Sequence, residues 1–164
     1  MILVTVGTNE APFDRLLHVF EASPPEEELL VQHGPSSIRP PGATCVDYLP
    51  YDELAEAIRR ARVVVTHAGV GSIMTALANG NRPVVVPRLR RFGEAVDDHQ
   101  VELGHRLHEE GLVTLVERPE DIGAALDATT SARPLELGPD RRLVAELVDF
   151  VQAHSRAQHL RPGA

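Results

Sequence analysis

The sequence of 164 residues contains no lysine and a single cysteine, Cys45. One cysteine cannot form an internal disulfide, so the fold does not rest on a disulfide framework and the chain suits a reducing cytosol. Because lysine is absent, the sequence also lacks the Gly-Lys-Ser/Thr element of a P-loop, which excludes that class of nucleotide site.

Positive charge and long apolar runs are also scarce. The formal net charge of −8 argues against a general nucleic-acid-binding protein and against a polybasic membrane anchor. No apolar run approaches the roughly 20 residues that a membrane-spanning helix needs. The first residues are strand-like and show neither a basic segment nor a cleavage site. We therefore expect no signal peptide and a cytoplasmic protein without nucleic-acid partners.

What remains is the composition of an ordinary globular domain, with 43% hydrophobic and 24% charged residues. Short apolar segments alternate with segments of helical spacing, which predicts an α/β fold, a Rossmann-like parallel sheet with helices on both faces. We assign residues 1–154 to this domain and residues 155–164 to a flexible tail. The predicted strands cover residues 2–6, 29–31, 44–48, 63–65, 83–86 and 112–116, and the predicted helices cover about 12–23, 52–60, 73–78, 98–110, 119–127 and 139–154.

One stretch in the middle of the chain combines a strand, a glycine turn and a helix start. Three valines at 63–65 lead into a Gly-x-Gly turn at Gly69 and Gly71, and Ser72 stands where the N-cap residue of the next helix is expected. Glycines let a ligand approach the backbone, and a helix N-terminus attracts anions, so the stretch predicts a phosphate site. Met74 stands where a dinucleotide fingerprint has its third glycine, which leaves a plain tight turn as the alternative.

Ligands of parallel α/β sheets bind where loops leave the carboxyl ends of the strands. Glycine and polar residues are concentrated in the loops that this rule singles out, which favours a ligand site over a plain turn. These loops cover residues 7–9, 48–51, 66–72 and 88–94.

The last of these loops is locally basic within an acidic protein. Its Arg88, Arg90 and Arg91 either belong to a solvated loop or attract a diphosphate or an anionic lipid. The Asp-Asp-His-Gln run at 97–100 is either the acidic cap of a helix or a sugar-binding group. Two or three ligands within one helical turn are weak evidence for a metal site, so we expect neither a metal nor a cofactor.

Four motifs of the chain stand in an order that is known from one family. They are Val-Thr-Val-Gly-Thr at 4–8 with Phe-Asp at 13–14, His-Ala-Gly-Val-Gly-Ser-Ile at 67–73, Pro-Val-Val-Val-Pro at 83–87 and Asp-Asp-His-Gln at 97–100. Over about residues 2–116 the chain resembles the C-terminal, nucleotide-sugar-binding half of GT-B glycosyltransferases of family 28. In particular it is similar to small soluble subunits of two-part enzymes, such as the cytosolic subunit of the dolichol-pathway N-acetylglucosaminyltransferase and bacterial exopolysaccharide or capsule glycosyltransferase subunits.

The resemblance implies a single half of a GT-B fold that holds a sugar nucleotide, with a UDP-sugar as the donor. It places Tyr48 and Leu49 near the base ring, Thr75 at the ribose, and Asp98, His99 and Gln100 at the sugar hydroxyls or the diphosphate. The residues that it places around the diphosphate are Gly7, Thr8, Asn9, His67, Ala68, Gly69, Val70, Gly71 and Ser72.

Two of these positions carry alternatives. His67 is expected to donate a hydrogen bond to phosphate, more strongly when protonated, or else to bond the turn backbone as a structural histidine. Thr75 stands where relatives place a glutamate on the ribose hydroxyls, counted back from Gly80. A threonine can bond one hydroxyl but cannot grip two as a carboxylate does.

The resemblance also implies a division of labour. The chain is expected to be the donor-binding, catalytic subunit of a two-part inverting hexosyltransferase that acts in polysaccharide or glycan biosynthesis. A membrane-anchored partner subunit supplies the lipid-linked acceptor and the general base, so that the chain lies at the cytoplasmic membrane only through that partner and is inactive alone. We identify no catalytic residue in this chain.

Two other functions are weighed against the transferase. The threonine at 75 favours a non-catalytic nucleotide-binding or scaffold module that regulates a membrane glycosyltransferase partner. A UDP-sugar epimerase shares the half-fold, but it needs a second domain, against which the length argues. The helix predicted over 139–154 has apolar residues spaced for burial, and docking of the partner there is the alternative to core packing.

Overall fold

A parallel sheet forms the middle of the structure, a computed structural model that describes residues 1–130. The strands of this part of the chain are β1 (Ile2–Thr5), β2 (Leu29–Gln32), β3 (Thr44–Val46), β4 (Val63–His67), β5 (Val84–Val86) and β6 (Thr114–Leu115). Their order across the sheet is β3-β2-β1-β4-β5-β6, and every neighbouring pair is parallel. This is the strand order of a Rossmann-like half-domain, so the predicted fold class is confirmed.

Helices connect the strands close to where the periodicity predicts them. Within the described range they are α1 (Asp14–Ala22), α2 (Tyr51–Arg60), α3 (Val70–Ala78), α4 (His99–Glu109) and α5 (Ile122–Thr130), with 3₁₀ turns at Arg90–Phe92 and Pro119–Asp121. None of these helices has the length and apolar character needed to cross a bilayer. The helix predicted over 139–154, the tail predicted over 155–164 and the domain boundary between them lie outside the described residues.

The start of α3 differs from the prediction. Ser72 is not the N-cap, because the helix begins at Val70 and Gly69 takes the N-cap position with an extended backbone. The Gly69 carbonyl accepts the first helical hydrogen bond, from the Ile73 N–H at 3.0 Å. Ser72 therefore lies in the first turn of the helix, where its side chain is not needed as a cap.

The two faces of the sheet bury alternate residues of the same strands. One face carries Val4 and Val65 against α1 and α5, through side chains such as Phe20 and Ile122. The opposite face carries the strand residues that alternate with these, such as Leu3, and they pack against α2, α3 and α4. The strands are hydrophobic on both sides because helices cover both sides, which explains their uninterrupted apolar sequences.

The middle of the sheet is the point where the strand order reverses. From β1 the chain moves outward through β2 to β3, and from β4 it moves outward in the other direction through β5 to β6. The loop after β1 leads to α1 on one face, whereas the loop after β4 leads to α3 on the other. The two loops separate and leave a crevice at the carboxyl ends of β1 and β4, where ligands of such sheets bind.

Candidate functional site

A cleft of about 300 Å³ lies at this crevice. Most of the residues that line it were predicted from the sequence to contact the sugar nucleotide, and three were not. The predicted ones are Gly7, Thr8, Tyr48, Leu49, His67, Gly71, Ser72 and Thr75, and the others are Thr5, Gln32 and Leu54. Segments that are up to 70 residues apart in the chain thus meet at one edge of the sheet. This is expected, because ligands of parallel α/β sheets bind where loops leave the carboxyl ends of the strands.

The first turn of α3 forms one wall of the cleft. The N–H groups of this turn have no acceptor within the helix, and the positive end of the helix dipole lies with them. The turn carries no acidic residue, and Gly71 and Ser72 both line the cleft. A Cβ at Gly71 would meet no atom within 4 Å, so this glycine faces open space. The wall therefore offers bare backbone N–H groups to an anion.

His67 lies at the end of β4, between the two glycine loops. A Cβ at Gly7 would lie 2.3 Å from its Cε1, and a Cβ at Gly69 would lie 2.0 Å from its Nε2. Gly7 also has a φ of +77°, which side chains rarely adopt. Glycine is needed at these two positions because the imidazole fills the space that a side chain would occupy. Of the three glycines Gly7, Gly69 and Gly71, only Gly71 leaves free space for a ligand.

Burial and the charge of Arg88 lower the pKa of His67 to about 4. The imidazole is therefore neutral near pH 7 in this structure, and a bond to phosphate that protonation strengthens stays a prediction. A neutral ring still offers one N–H donor and one acceptor nitrogen. The hydrogen-bonding role of His67 at the cleft remains a prediction.

Gln32 and Thr5, at the ends of β2 and β1, were not identified from the sequence. Both side chains are buried, and the Thr5 hydroxyl donates to Gln32 Oε1 at 2.6 Å. The signal that was available is a polar residue at the end of an otherwise apolar strand, since such a residue needs a partner when it is buried. That partner lies 27 residues away, so the pairing is not visible locally.

The loop after β3 forms the opposite, more apolar wall. Tyr48 is 61% exposed at the rim, and Leu49 and Leu54 line the cleft beside it. The loop is held to the end of β2, because Asp47 Oδ1 lies 2.7 Å from His33 Nε2 and the Asp47 carbonyl accepts from the Gly34 N–H at 3.1 Å. This wall presents an aromatic ring and aliphatic groups, which suit a flat base.

Thr75 lines the cleft one helical turn after Gly71. Its hydroxyl donates to the Gly71 carbonyl at 2.8 Å, so its hydrogen is already used. The oxygen keeps lone pairs that can accept from one ligand hydroxyl. The side chain can therefore still accept one hydrogen bond from a ligand, and its contact with the ribose stays a prediction.

Some residues that were predicted to contact the sugar nucleotide do not line the cleft. Asn9 Oδ1 accepts from the Ala11 N–H at 2.8 Å within its own loop. Ala68 is buried in the core beneath α3 and α4, and Val70 packs against the same core. These residues shape the loops and do not themselves border the space.

The sugar-binding candidates at the start of α4 also lie apart from the cleft. Asp98 Oδ1 accepts from the Arg90 N–H at 3.0 Å, and Gln100 Oε1 accepts from the Arg88 N–H at 3.1 Å. His99 Nδ1 lies 2.7 Å from a carboxylate oxygen of Asp97. Asp98 and Arg91 border a second hollow of about 510 Å³ at the ends of β5 and β6. The contact of these residues with a sugar stays a prediction.

The expectation that Arg88 is solvated or attracts an anion is wrong. Its side chain is fully buried, lies 4.7 Å from the ring centre of Phe13 and donates to backbone carbonyls, so it is neither solvated nor available to a phosphate or lipid. The acceptors are the carbonyls of Val6, Ala11, Pro12 and Glu94, at 2.9–3.2 Å. Arg90 and Arg91 remain exposed on the same loop.

Comparison with known proteins agrees with this geometry. The sequence model of the glycosyltransferase family 28 C-terminal domain matches residues 1–142. The human UDP-N-acetylglucosamine transferase subunit ALG13 is 33% identical over 123 residues, covering 67% of this chain and 10% of that protein. The protein of the same name from Yarrowia lipolytica is 41% identical over 56 residues, covering 34% of this chain and 26% of that protein. The chain thus spans about a quarter or less of these curated relatives.

A solved structure extends the comparison to the fold. CalG4, the calicheamicin glycosyltransferase, superposes with a TM-score of 0.59 at 19% identity, over 80% of this chain and 34% of that one. At this identity the likeness concerns the fold alone. The superposed part is about a third of that chain.

Proposed function

This chain belongs to the glycosyltransferase family 28 C-terminal domain family, and from that premise we propose that it is the donor-binding subunit of a two-part inverting glycosyltransferase. The donor is a UDP-sugar, and the acceptor is a lipid-linked glycan precursor of polysaccharide or glycan biosynthesis. Relatives that carry the name UDP-N-acetylglucosamine transferase subunit support this proposal. A membrane-anchored partner brings the acceptor, so the chain works at the cytoplasmic face of a membrane.

The observation that carries the proposal is the arrangement of the cleft walls. The first turn of α3 offers backbone N–H groups beside Gly71, which suits a diphosphate. Tyr48 and the leucines of the opposite wall suit a base ring, and Thr75 suits one ribose hydroxyl. A nucleoside diphosphate contains these three parts.

The same cleft accounts for the chemistry that the chain contributes. When the sugar is transferred, negative charge grows on the departing nucleoside diphosphate, and the preorganised N–H groups and helix dipole stabilise that charge. Holding the donor in one orientation lowers the barrier further. None of the described residues that line the cleft is an aspartate or a glutamate, and the lowered pKa of His67, about 4, makes its imidazole a weak base. This agrees with a general base supplied by the partner subunit.

Calorimetric titration of the full chain with UDP tests the donor site, with GDP as the competing nucleotide. In Gly71→Asp a carboxylate occupies the open space beside the N–H groups, so UDP binding should be lost. Gly123→Asp is a matched control, because Gly123 is also the second residue of a helix and a Cβ added there would meet no atom within 4 Å. Loss in both variants, or in neither, would contradict the proposed site.

A scaffold module that regulates a membrane glycosyltransferase is the second candidate. It is favoured by Thr75, which stands where a ribose-binding carboxylate is expected and already spends its hydrogen on Gly71. Gly71→Asp separates the two functions in the co-expressed pair of subunits. The variant should abolish sugar transfer if the chain binds the donor, but leave transfer intact if the chain is a scaffold. Full transfer by the chain without a partner would contradict the two-part enzyme.

A further inference from the structure

One buried side chain joins two of the loops that border the cleft, the loop after β1 and the loop after β3. Gln32 is 4% exposed at the end of β2, next to β1 on one side and β3 on the other. Its amide reaches the loop after β1, which carries Gly7, and the loop after β3, which begins at Asp47. No other described side chain that lines the cleft hydrogen-bonds to both loops.

The hydrogen bonds of this amide determine its orientation. Oε1 accepts from the Thr5 hydroxyl at 2.6 Å and from the Gly7 N–H at 3.2 Å. Nε2 donates to the Gly7 carbonyl at 3.1 Å and to the Asp47 carbonyl at 2.9 Å. Since carbonyl oxygens can only accept, the nitrogen must face them, and a flipped amide would lose these bonds. Both donors and both acceptor sites of the amide are used.

This pattern gives Gln32 a role beyond filling the core. Gly7 is held through both its N–H and its carbonyl, so the amide sets the orientation of the loop after β1, which the family resemblance places at the diphosphate. The same nitrogen holds the Asp47 carbonyl, one residue before Tyr48 on the base-side wall. A buried network in which every group is satisfied is rigid and is expensive to break.

We propose that Gln32 is a positioning residue that keeps the Gly7 loop, on the phosphate side of the cleft, and the base-side wall at the spacing that a nucleoside diphosphate requires. The inference rests on the proposed function, because it assigns this loop and this wall to the two ends of one nucleotide. Thr5 serves the same purpose for the phosphate side only, because its hydroxyl bonds Gln32 Oε1 and accepts from the Gly7 N–H at 3.3 Å. A cleft that is already arranged binds its ligand without the cost of ordering two loops.

The test compares three variants of the full chain. Gln32→Met keeps the length of the side chain and removes every side-chain hydrogen bond from residue 32 to both loops. Thr5→Val removes the hydroxyl alone and leaves the Gln32 bond to Asp47. Val31→Ala is the stability control, because Val31 is buried on the same strand in the core beneath α1 and has no polar link to either loop. Affinity is measured for UDP by calorimetry, and for uridine and inorganic pyrophosphate by NMR titration, well below the unfolding temperature.

We expect Gln32→Met to weaken UDP binding by about tenfold or more, and to weaken both uridine and pyrophosphate. Thr5→Val should weaken UDP and pyrophosphate but leave uridine unchanged. Val31→Ala should lower the unfolding temperature without changing any affinity. Affinity loss in Val31→Ala equal to that in Gln32→Met, or UDP binding by Gln32→Met within about twofold of the wild type, would overturn the positioning role. Failure of the wild type to bind UDP would instead overturn the donor site itself, and the inference with it.

Discussion

The imidazole of His67 occupies the space that a side chain at Gly69 would need, because a Cβ at Gly69 would lie 2.0 Å from Nε2. The glycine in the middle of the turn is thus explained by a neighbouring side chain and not by a ligand. Gly71, two residues later, has no atom within 4 Å of such a position. Two glycines of one motif therefore have different causes, and substitution should separate them.

Gly69→Ala should destabilise the fold by about 1–3 kcal/mol, because the added methyl group overpacks the site against His67. Gly71→Ala should be neutral or stabilise by up to about 1 kcal/mol, since it adds a better helix former in open space. Urea unfolding measures both. In a His67→Ala background the cost of Gly69→Ala should largely vanish, and an undiminished cost there would show that His67 is not the cause.

The lowered pKa of His67 makes stability depend on pH in a defined direction. The folded chain binds the proton with a pKa of about 4 and the unfolded chain with 6.5, so the unfolded state takes up the proton first as pH falls. Stability is therefore complete above pH 6.5 and is lost progressively towards pH 4, by about 3 kcal/mol. The measurement is the free energy of unfolding of the wild type minus that of His67→Gln across this range. A constant difference would contradict the buried neutral imidazole.

Arg88 should contribute to stability far more than its neighbours in the same basic loop. Arg88→Ala leaves buried carbonyls without donors and should cost at least about 3 kcal/mol. Arg91→Ala removes an exposed side chain and should stay within about 0.5 kcal/mol. Denaturant unfolding compares the two variants. Similar small effects would mean that the guanidinium of Arg88 is not the anchor between this loop and the start of α1.

Tyr48 and Tyr51 form a matched pair for testing the base-side wall. They are 61% and 64% exposed, but only Tyr48 lines the cleft. Tyr48→Ala should weaken UDP binding by about 1–3 kcal/mol, the range of base–aromatic stacking, whereas Tyr51→Ala should leave it unchanged. Calorimetry with UDP and with inorganic pyrophosphate provides the readout. Pyrophosphate affinity should be the same in both variants, and an equal loss of UDP affinity in both would place the base elsewhere.

The errors made from the sequence have a common origin. Ser72 is a residue type that N-cap positions prefer, but the helix begins three residues earlier than predicted, because Gly69 lies extended beside His67 and takes the N-cap position. Arg88 looks like any loop arginine, yet its acceptors include the carbonyl of Val6, 82 residues away. In both cases a side-chain contact that the local pattern does not show overrode a local preference.

The sequence by itself determined the elements of this protein and the edge of the sheet at which its site lies. Runs of β-branched residues, helical spacing and glycine turns are local features, and their alternation requires a parallel sheet whose loops meet at one edge. Only the tertiary structure decided which residues of those loops border the cleft and what holds them. Gln32, Thr5 and Arg88 act through groups that are up to 82 residues away, and such hydrogen bonds depend on how the strands are ordered and registered. The physical reason is that backbone periodicity is encoded over a few residues, whereas the satisfaction of buried polar groups is settled only when distant segments pack together.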